Sequence, residues 1–405
     1  METVDIFIKH ASELITLQGE NIPRKKHAMN DIGILKDGCI AIDDGRIIDI
    51  GPDLSYDAKT IIDARDKIIL PGFIDPHTHV VFGGTREFEL DWKLKGLSYM
   101  QIKEKGGGIQ YTVDQTRKTS TEFLYEQSHA RLSTMLAHGT TTCEAKSGYG
   151  LNLETEQKIL EIQEQLNHDH PIDLISTFLG AHAIPEGYST SDYIDIVIDD
   201  MLPVIKSKAV FCDVFCEQGF FSYDQSKQIL EEGKKHGLIP KIHADELHDM
   251  NGGKLAADVN AISADHLLMT NKESMKSLAE NNIIGVMLPG TPFSLMMRKY
   301  APARTMIDEG VPLALATDLN PNCYVENMQM IIQLACFSMN MTPAEAITAA
   351  TMNAACAIDK QKDIGSLETG KQADLLIMGL KNHLMIPYQF GKNHVEMVIK
   401  KGEII

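Results

Sequence analysis

The period of the hydrophobic positions changes twice along the chain. In the first 65 residues the apolar positions fall in short, β-branched runs, VDIFIKHA, CIAIDDGRIIDIG and TIIDARDKIILPG, punctuated at Asp37-Gly38 and Asp44-Gly45. The second dipeptide lies between two apolar runs and predicts a tight hairpin. The same texture returns near the C-terminus in QADLLIMGL and HVEMVIKKGEII. Two β-rich ends around a long middle predict one small composite β-sandwich domain, residues 1–65 and 360–405.

Between residues 66 and 359 short apolar runs alternate with longer polar stretches. Eight runs are present: KIILPGFID, GTTTCEAK, IDLISTFLG, AVFCDVFC, LIPKIHAD, NAISADHLL, IIGVMLPG and VPLALATD. Between them lie LETEQKILEIQEQL, TSDYIDIVIDDMLPVIK and SYDQSKQILEEGKKHG, whose apolar residues recur at helical spacing. Eight βα units in one segment predict an α/β fold, a (β/α)₈ TIM barrel. A doubly wound open sheet is the alternative. The GGGI stretch at Gly106–Ile109 is a loop signal without the lysine of a phosphate cradle.

Composition narrows the partners. The 405 residues carry a formal net charge of -18, which argues against nucleic acid or anionic membrane, since both reward clustered Lys and Arg. A small anionic substrate would need a local cation, so an arginine near a pocket matters, and Arg86 is one. The seven cysteines are scattered. Cys212 and Cys216, on one predicted strand, lie roughly 13 Å apart, too far for a disulfide. Buried reduced thiols and the lack of a leader or a long apolar run predict a cytoplasmic protein. A homodimer is expected for a barrel of this kind.

Barrel enzymes carry their chemistry where strands end. The first run ends in His77-Thr-His79, the fifth in His243-Ala-Asp245-Glu246, the sixth in Asp265-His266 and the eighth in Thr317-Asp318-Leu-Asn320. His77 and His79, two apart on a strand, point the same way with Cα atoms roughly 6–7 Å apart, which lets both imidazoles reach one metal. Alone, such a pair is as readily a chance polar pair. With His243 offering a third nitrogen and Asp318 an oxygen, the rim predicts one metal ion, zinc or iron rather than magnesium or calcium.

These residues, in the stretches PGFIDPHTHVVFGGTREFE, KSGYGLNLETE, TFLGAHAIPEGY, HADELHDMNGGKLAADVNAISADHL, LPGTPFSL and ALATDLNP, resemble the amidohydrolase superfamily over essentially the whole chain. The resemblance is closer still to its branch that opens an imidazolone ring in histidine breakdown. It implies hydrolysis of the lactam C–N bond of 4-imidazolone-5-propanoate to N-formimidoyl-L-glutamate. It implies His77, His79, His243 and Asp318 as ligands of a single ion, Asp318 as base, His266 as the group facing the oxyanion, and Glu246 as a proton relay that also holds the ring. Arg86 is implied for the propionate, with Tyr149, His182 and Asn320 lining the same mouth. Where the superfamily branch has a small Gly-Ser or Gly-Thr pair, this chain has Asn322-Cys323, so substrate contact there rests on backbone N–H groups. Lys146 is not placed to bridge two metals, Cys323 is no nucleophile, and Glu217 reads as structural. The rivals are a heterocycle deaminase on the same ligand set, for which Arg86 has no use, and a silent binding protein, against which His266 and Asp318 argue.

Overall fold

The computed structural model describes residues 3–97 and 99–405. Eight parallel strands stand in sequential order: β1 (Phe73–Thr78), β2 (Thr140–Lys146), β3 (Asp173–Ala181), β4 (Phe211–Cys216), β5 (Ile239–Ala244), β6 (Ser263–His266), β7 (Ile284–Met287) and β8 (Leu313–Leu315). Each pairs in parallel with the next. The ring closes without a full ladder. Past the end of β8, Thr317 donates to Asp75 of β1 through its N–H at 3.0 Å and its hydroxyl at 2.5 Å. Asp318 N–H donates to the His77 carbonyl at 3.1 Å, and His79 N–H to that of Leu319 at 2.8 Å. A closed ring is the predicted (β/α)₈ barrel, and it excludes the open doubly wound sheet.

Helices cover the outside, and their caps are local. Ser222 and Gln225 form a capping box on Tyr223–Lys235, and Asn152 caps Leu153–Asp169. TSDYIDIVIDDMLPVIK departs from its predicted single helix: a π turn, Ile196–Met201, separates Thr190–Asp195 from Leu202–Ile205. Pro203, which has no N–H to give the carbonyl four residues back, accounts for the widened turn.

Both termini build the second unit. A four-stranded sheet runs Arg46–Pro52, Gly38–Asp43, Val4–Ala11, Ala58–Asp63; a six-stranded sheet runs Glu403–Ile404, Val395–Lys400, Leu375–Met378, Ile68–Pro71, Glu13–Ile15, Ile34–Leu35. Ile8, Leu14, Ile40, Ile42, Ile69, Leu375 and Ile399 share one buried core between them. The predicted hairpin is present, with Asp44 at φ 48 and Gly45 at φ 72, the left-handed pair a primed two-residue turn requires.

The run KIILPGFID is not one strand. Ile68–Pro71 pairs with Leu375–Met378 and Glu13–Ile15 in the terminal sheet, whereas Phe73–Thr78 begins the barrel. Gly72 makes the crossing, and a Cβ there would sit 2.2 Å from Thr141 Oγ1 and 2.4 Å from Thr141 Cγ2. Gly72→Ala is therefore expected to cost about 1–3 kcal/mol through overpacking, read as a lower urea midpoint with an unchanged m value. A midpoint equal to wild type would show that the crossing tolerates a side chain.

Candidate metal centre and active site

The barrel interior is polar at its inward-facing alternate positions, and this builds the site from below. Lys146 of β2, fully buried, donates to Glu144 Oε1 and Asp213 Oδ2 at 2.7 Å each, and lies 3.6 Å from Asp265 Oδ2. Asp265 then meets His77 Nδ1 at 2.7 Å. Asp213 Oδ2 lies 3.0 Å from His243 Nδ1, an ion-pair contact rather than a well-aligned hydrogen bond, since that nitrogen has no bonded partner by geometry. Each carboxylate favours a proton on Nδ1 and so leaves Nε2 as the free lone pair.

Asp318 closes on His77 and His79. Its Oδ1 lies 3.4 Å from His77 Nε2 and 3.6 Å from His79 Nε2, while its Oδ2 accepts the Thr291 hydroxyl at 2.5 Å. Ligand atoms of His77, His79 and His243, and of His77, His266 and Asp318, lie within 4.8 Å of one another. His77 Nε2, His79 Nδ1, His243 Nε2 and His266 Nδ1 are buried without a partner. Leaving such groups unpaired costs about 1–3 kcal/mol each, so this donor set fits a bound cation.

Electrostatics favour the neutral imidazole at His77, His79 and His266. Burial, and then the nearby Lys146, push His77 well below the usual histidine range; burial and then His182 do the same to His79, and burial and then His243 to His266. Burial opposes charge at His243 too, but Asp213 outweighs it and the balance is upward. Burial lifts Asp318 to about 6 and, helped by the Asp318 charge, Glu246 to about 8. The rim is also strained: His266 has φ 76, Leu267 59, Asp318 53 and Asp245 51. Non-glycine residues there cost about 1–3 kcal/mol each and cluster where function holds them.

A cavity of about 340 Å³ opens above this centre, with His79, His243, His266, Asp318, Arg86, Tyr149, His182, Glu246, Asn320 and Asn322 in its wall. His77 lies behind that surface, fully buried. His182 stacks on His79 at 5.0 Å between centroids and binds the Gly148 carbonyl through Nδ1 at 3.0 Å; burial, then His243, hold it down at about 3. It is a neutral ring with Nε2 as acceptor. Burial raises the Tyr149 phenol far above its usual range, so it stays a donor. Glu246 Oε2 is 3.7 Å from His266 Nε2.

Three expectations change in detail. Arg86 is not a free fork: Nε and Nη2 donate to Glu89 at 2.7 and 2.9 Å, and Glu89, buried, also accepts the Gly108 N–H at 2.7 Å. The GGGI loop thus helps fix the carboxylate that aims Arg86. Asn320 is a loop clamp, its Nδ2 donating to the Asp318 carbonyl at 2.7 Å and its Oδ1 accepting the N–H groups of Asn322 and Cys323 at 2.8 and 3.0 Å. Both backbone donors expected for a substrate carboxylate are therefore occupied. Cys323 does not line the metal-side cavity. It is buried in the wall of an adjoining, largely apolar cavity of about 930 Å³ that also meets Arg86, Lys93 and Asn322.

Sequence reasoning missed Asp213, Glu144, Thr291 and Glu89, and it named Asp265 without its role. A signal existed for Asp213, Asp265 and Glu144, as acids inside the apolar runs FCDVFC, ISADH and TTTCEAK. Glu217 is structural, as expected: it accepts from the Leu247 N–H at 2.9 Å and the His248 N–H at 3.3 Å, and meets His248 Nδ1 at 2.8 Å.

Comparison with known proteins places this geometry. The model of the amidohydrolase family matches residues 68–159 and 215–405. The chain is 48% identical over 413 residues to imidazolonepropionase of Alkaliphilus metalliredigens, covering 99% of this chain and 98% of that one. It is 48% identical over 414 residues to imidazolonepropionase of Geobacillus kaustophilus, covering 99% and 97%. Among solved structures, an adenosine deaminase from Xanthomonas campestris with bound zinc superposes with a TM-score of 0.74 at 16% identity, over 100% of this chain and 93% of that one. Ochratoxinase of A. niger does so at 0.70 and 20% identity, over 100% and 96%. The two solved structures share the fold; the sequence relatives share nearly half of every position along the full length, and the chain belongs to the amidohydrolase family, within it to the imidazolonepropionases.

Proposed function

We propose that this chain hydrolyses the lactam C–N bond of 4-imidazolone-5-propanoate to N-formimidoyl-L-glutamate, with one zinc or iron ion held by His77, His79, His243 and Asp318. The observation that carries the metal reading is the cluster of buried imidazoles with unpartnered nitrogens whose ligand atoms, with those of Asp318, lie within 4.8 Å of one another in two overlapping triads. The near-half identity to imidazolonepropionases supports the substrate. A divalent ion in this ligand set supplies Lewis acidity, acidifying water toward neutrality and polarising a carbonyl.

The chain's own residues do the rest. Asp318 takes the attacking water's proton, with Thr291 holding its other oxygen. His266, neutral and on the neighbouring strand end, donates toward the oxyanion that develops on the ring carbonyl. Glu246, buried and protonated up to about pH 8, donates to the departing ring nitrogen. Tyr149 and His182 frame the ring as donor and acceptor, Asn320 fixes the Asp318 loop, and Arg86 presents its remaining N–H edge to the propionate. Asn322 and Cys323 shape that side of the pocket. This reading includes a cytoplasmic homodimer without nucleic-acid or membrane partners. The seven free cysteines support it, as does the absence, among the described residues, of a helix long and apolar enough to cross a membrane.

The test is an ultraviolet assay of freshly prepared 4-imidazolone-5-propanoate with metal-replete protein. Loss of ring absorbance with product formation supports the reading, and a folded, metal-loaded chain that leaves the substrate untouched rejects it. Glu246→Gln is expected to lower kcat about 10²- to 10⁴-fold and to remove an alkaline limb from the pH profile. The acid form is the active one, so wild-type activity falls as pH rises through the Glu246 value. A bound cation's charge draws that value downward, which sets the limb at or below about 8. An alkaline limb that persists in the variant assigns it to another group.

A further inference from the structure

The substrate side of the cavity holds a cation with no role so far. Lys93 lies in the last turn of the helix Glu87–Leu94, half-buried, and lines both the metal-side cavity and the apolar one beside it. Its Nζ donates to Asn322 Oδ1 at 2.7 Å. Among the described residues no carboxylate forms an ion pair with it, whereas Arg86, on the same wall, is doubly bonded to Glu89. An ammonium has three donors, and a single neutral amide oxygen satisfies one of them.

Charge counting on this wall points the same way. Of the two cations on it, Arg86 is taken up by the buried Glu89 through two hydrogen bonds, whereas the Lys93 ammonium donates to a neutral amide oxygen. Among the described residues the Lys93 charge is thus without an ion-pair partner, in a protein of net charge -18. Burial works against that charge at Lys93, so an arriving carboxylate gains more from it than in water. A neutral ring has no use for such a charge; a ring with a monoanionic tail is its complement.

We propose that Lys93, held in place by Asn322, binds the carboxylate tail of the substrate together with Arg86 and sets the site's preference for anionic over neutral ring substituents. The identity of the ring, though not of the tail-binding group, rests on the lactam-hydrolase reading above. The probes are 3-(imidazol-4-yl)propanoate and its primary amide, titrated calorimetrically into metal-loaded protein. Wild type is expected to bind the carboxylate about ten- to a hundredfold more tightly than the amide, as for a hydrogen bond to a charged group. Lys93→Met is expected to cut that ratio by about tenfold, while Lys93→Arg keeps most of it. Lys95→Met, which removes an exposed lysine paired with Asp91 on the same helix, should leave the ratio alone and controls for general loss of positive charge.

A ratio in Lys93→Met equal to wild type overturns the proposal, as does a wild type with no preference. The two readings fail separately. A wild type that binds the acid through Lys93 yet turns over no imidazolone defeats the lactam assignment alone. Turnover with a preference indifferent to Lys93 defeats only the inference.

Discussion

Replacing His243 with alanine is expected to reduce hydrolysis of 4-imidazolone-5-propanoate to below about one-thousandth of wild type, because the acidification of water that makes attack feasible at neutral pH depends on the bound ion. Metal content should fall from one ion per chain to well below one after dialysis, measured by plasma mass spectrometry. The fold should survive, since Asp213 keeps Lys146 at 2.7 Å and the residue 243 N–H at 3.1 Å. Asp213→Asn, which spares the ligand but removes its carboxylate support and one ion pair of Lys146, should weaken metal binding about 10- to 100-fold. A His243→Ala protein with one ion per chain and undiminished turnover would remove residue 243 from the ligand set.

Lys146→Met should be the most destabilising single change in the barrel. It strips from Glu144 its ion-pair partner, from Asp213 one of two, and from Asp265 a charge 3.6 Å away. Breaking a buried ion pair by removing one partner costs about 3–5 kcal/mol, because the survivor is left uncompensated. The expected result is a large drop in the urea midpoint, partly recovered when Glu144→Gln is added to remove one of the stranded charges. A midpoint within error of wild type would mean that water or proton uptake relieves the cluster, and that Lys146 is not what holds Asp213 and Asp265 against His243 and His77.

How far the sequence reaches can be judged from these residues. His77, His79, His243, His266 and Asp318 are legible because each sits at the end of an apolar run, and a barrel brings all run ends to one rim. The Asp44-Gly45 hairpin is legible because its backbone demand is local. Lys146 is visible as a charged residue in an apolar run, but its meaning depends on Asp213 and Asp265, which reach it only when β2, β4 and β6 face one another across a closed ring. The break at Gly72 was hidden for the same reason. KIILPGFID reads as one continuous strand until Leu375–Met378 arrives from the other end of the chain to claim its first half. Asn320 lines the cavity as expected, but its clamp on two N–H groups of its own loop depends on a loop conformation the sequence does not display.

The shared terminal sheet sets an order of events during synthesis. Ile68–Pro71 leaves the ribosome before the barrel strands, yet its antiparallel neighbour Leu375–Met378 is made only after all eight of them. For the whole time in which the barrel is being translated, that strand has an open, apolar edge, the kind that invites pairing with another chain. The nascent protein is therefore most exposed to aggregation not in the catalytic unit but in the sandwich beside it, and translation rate and chaperone supply should govern its yield more than metal supply does. Leu375–Met378 acts as a latch, and the sheet is closed only when that strand arrives.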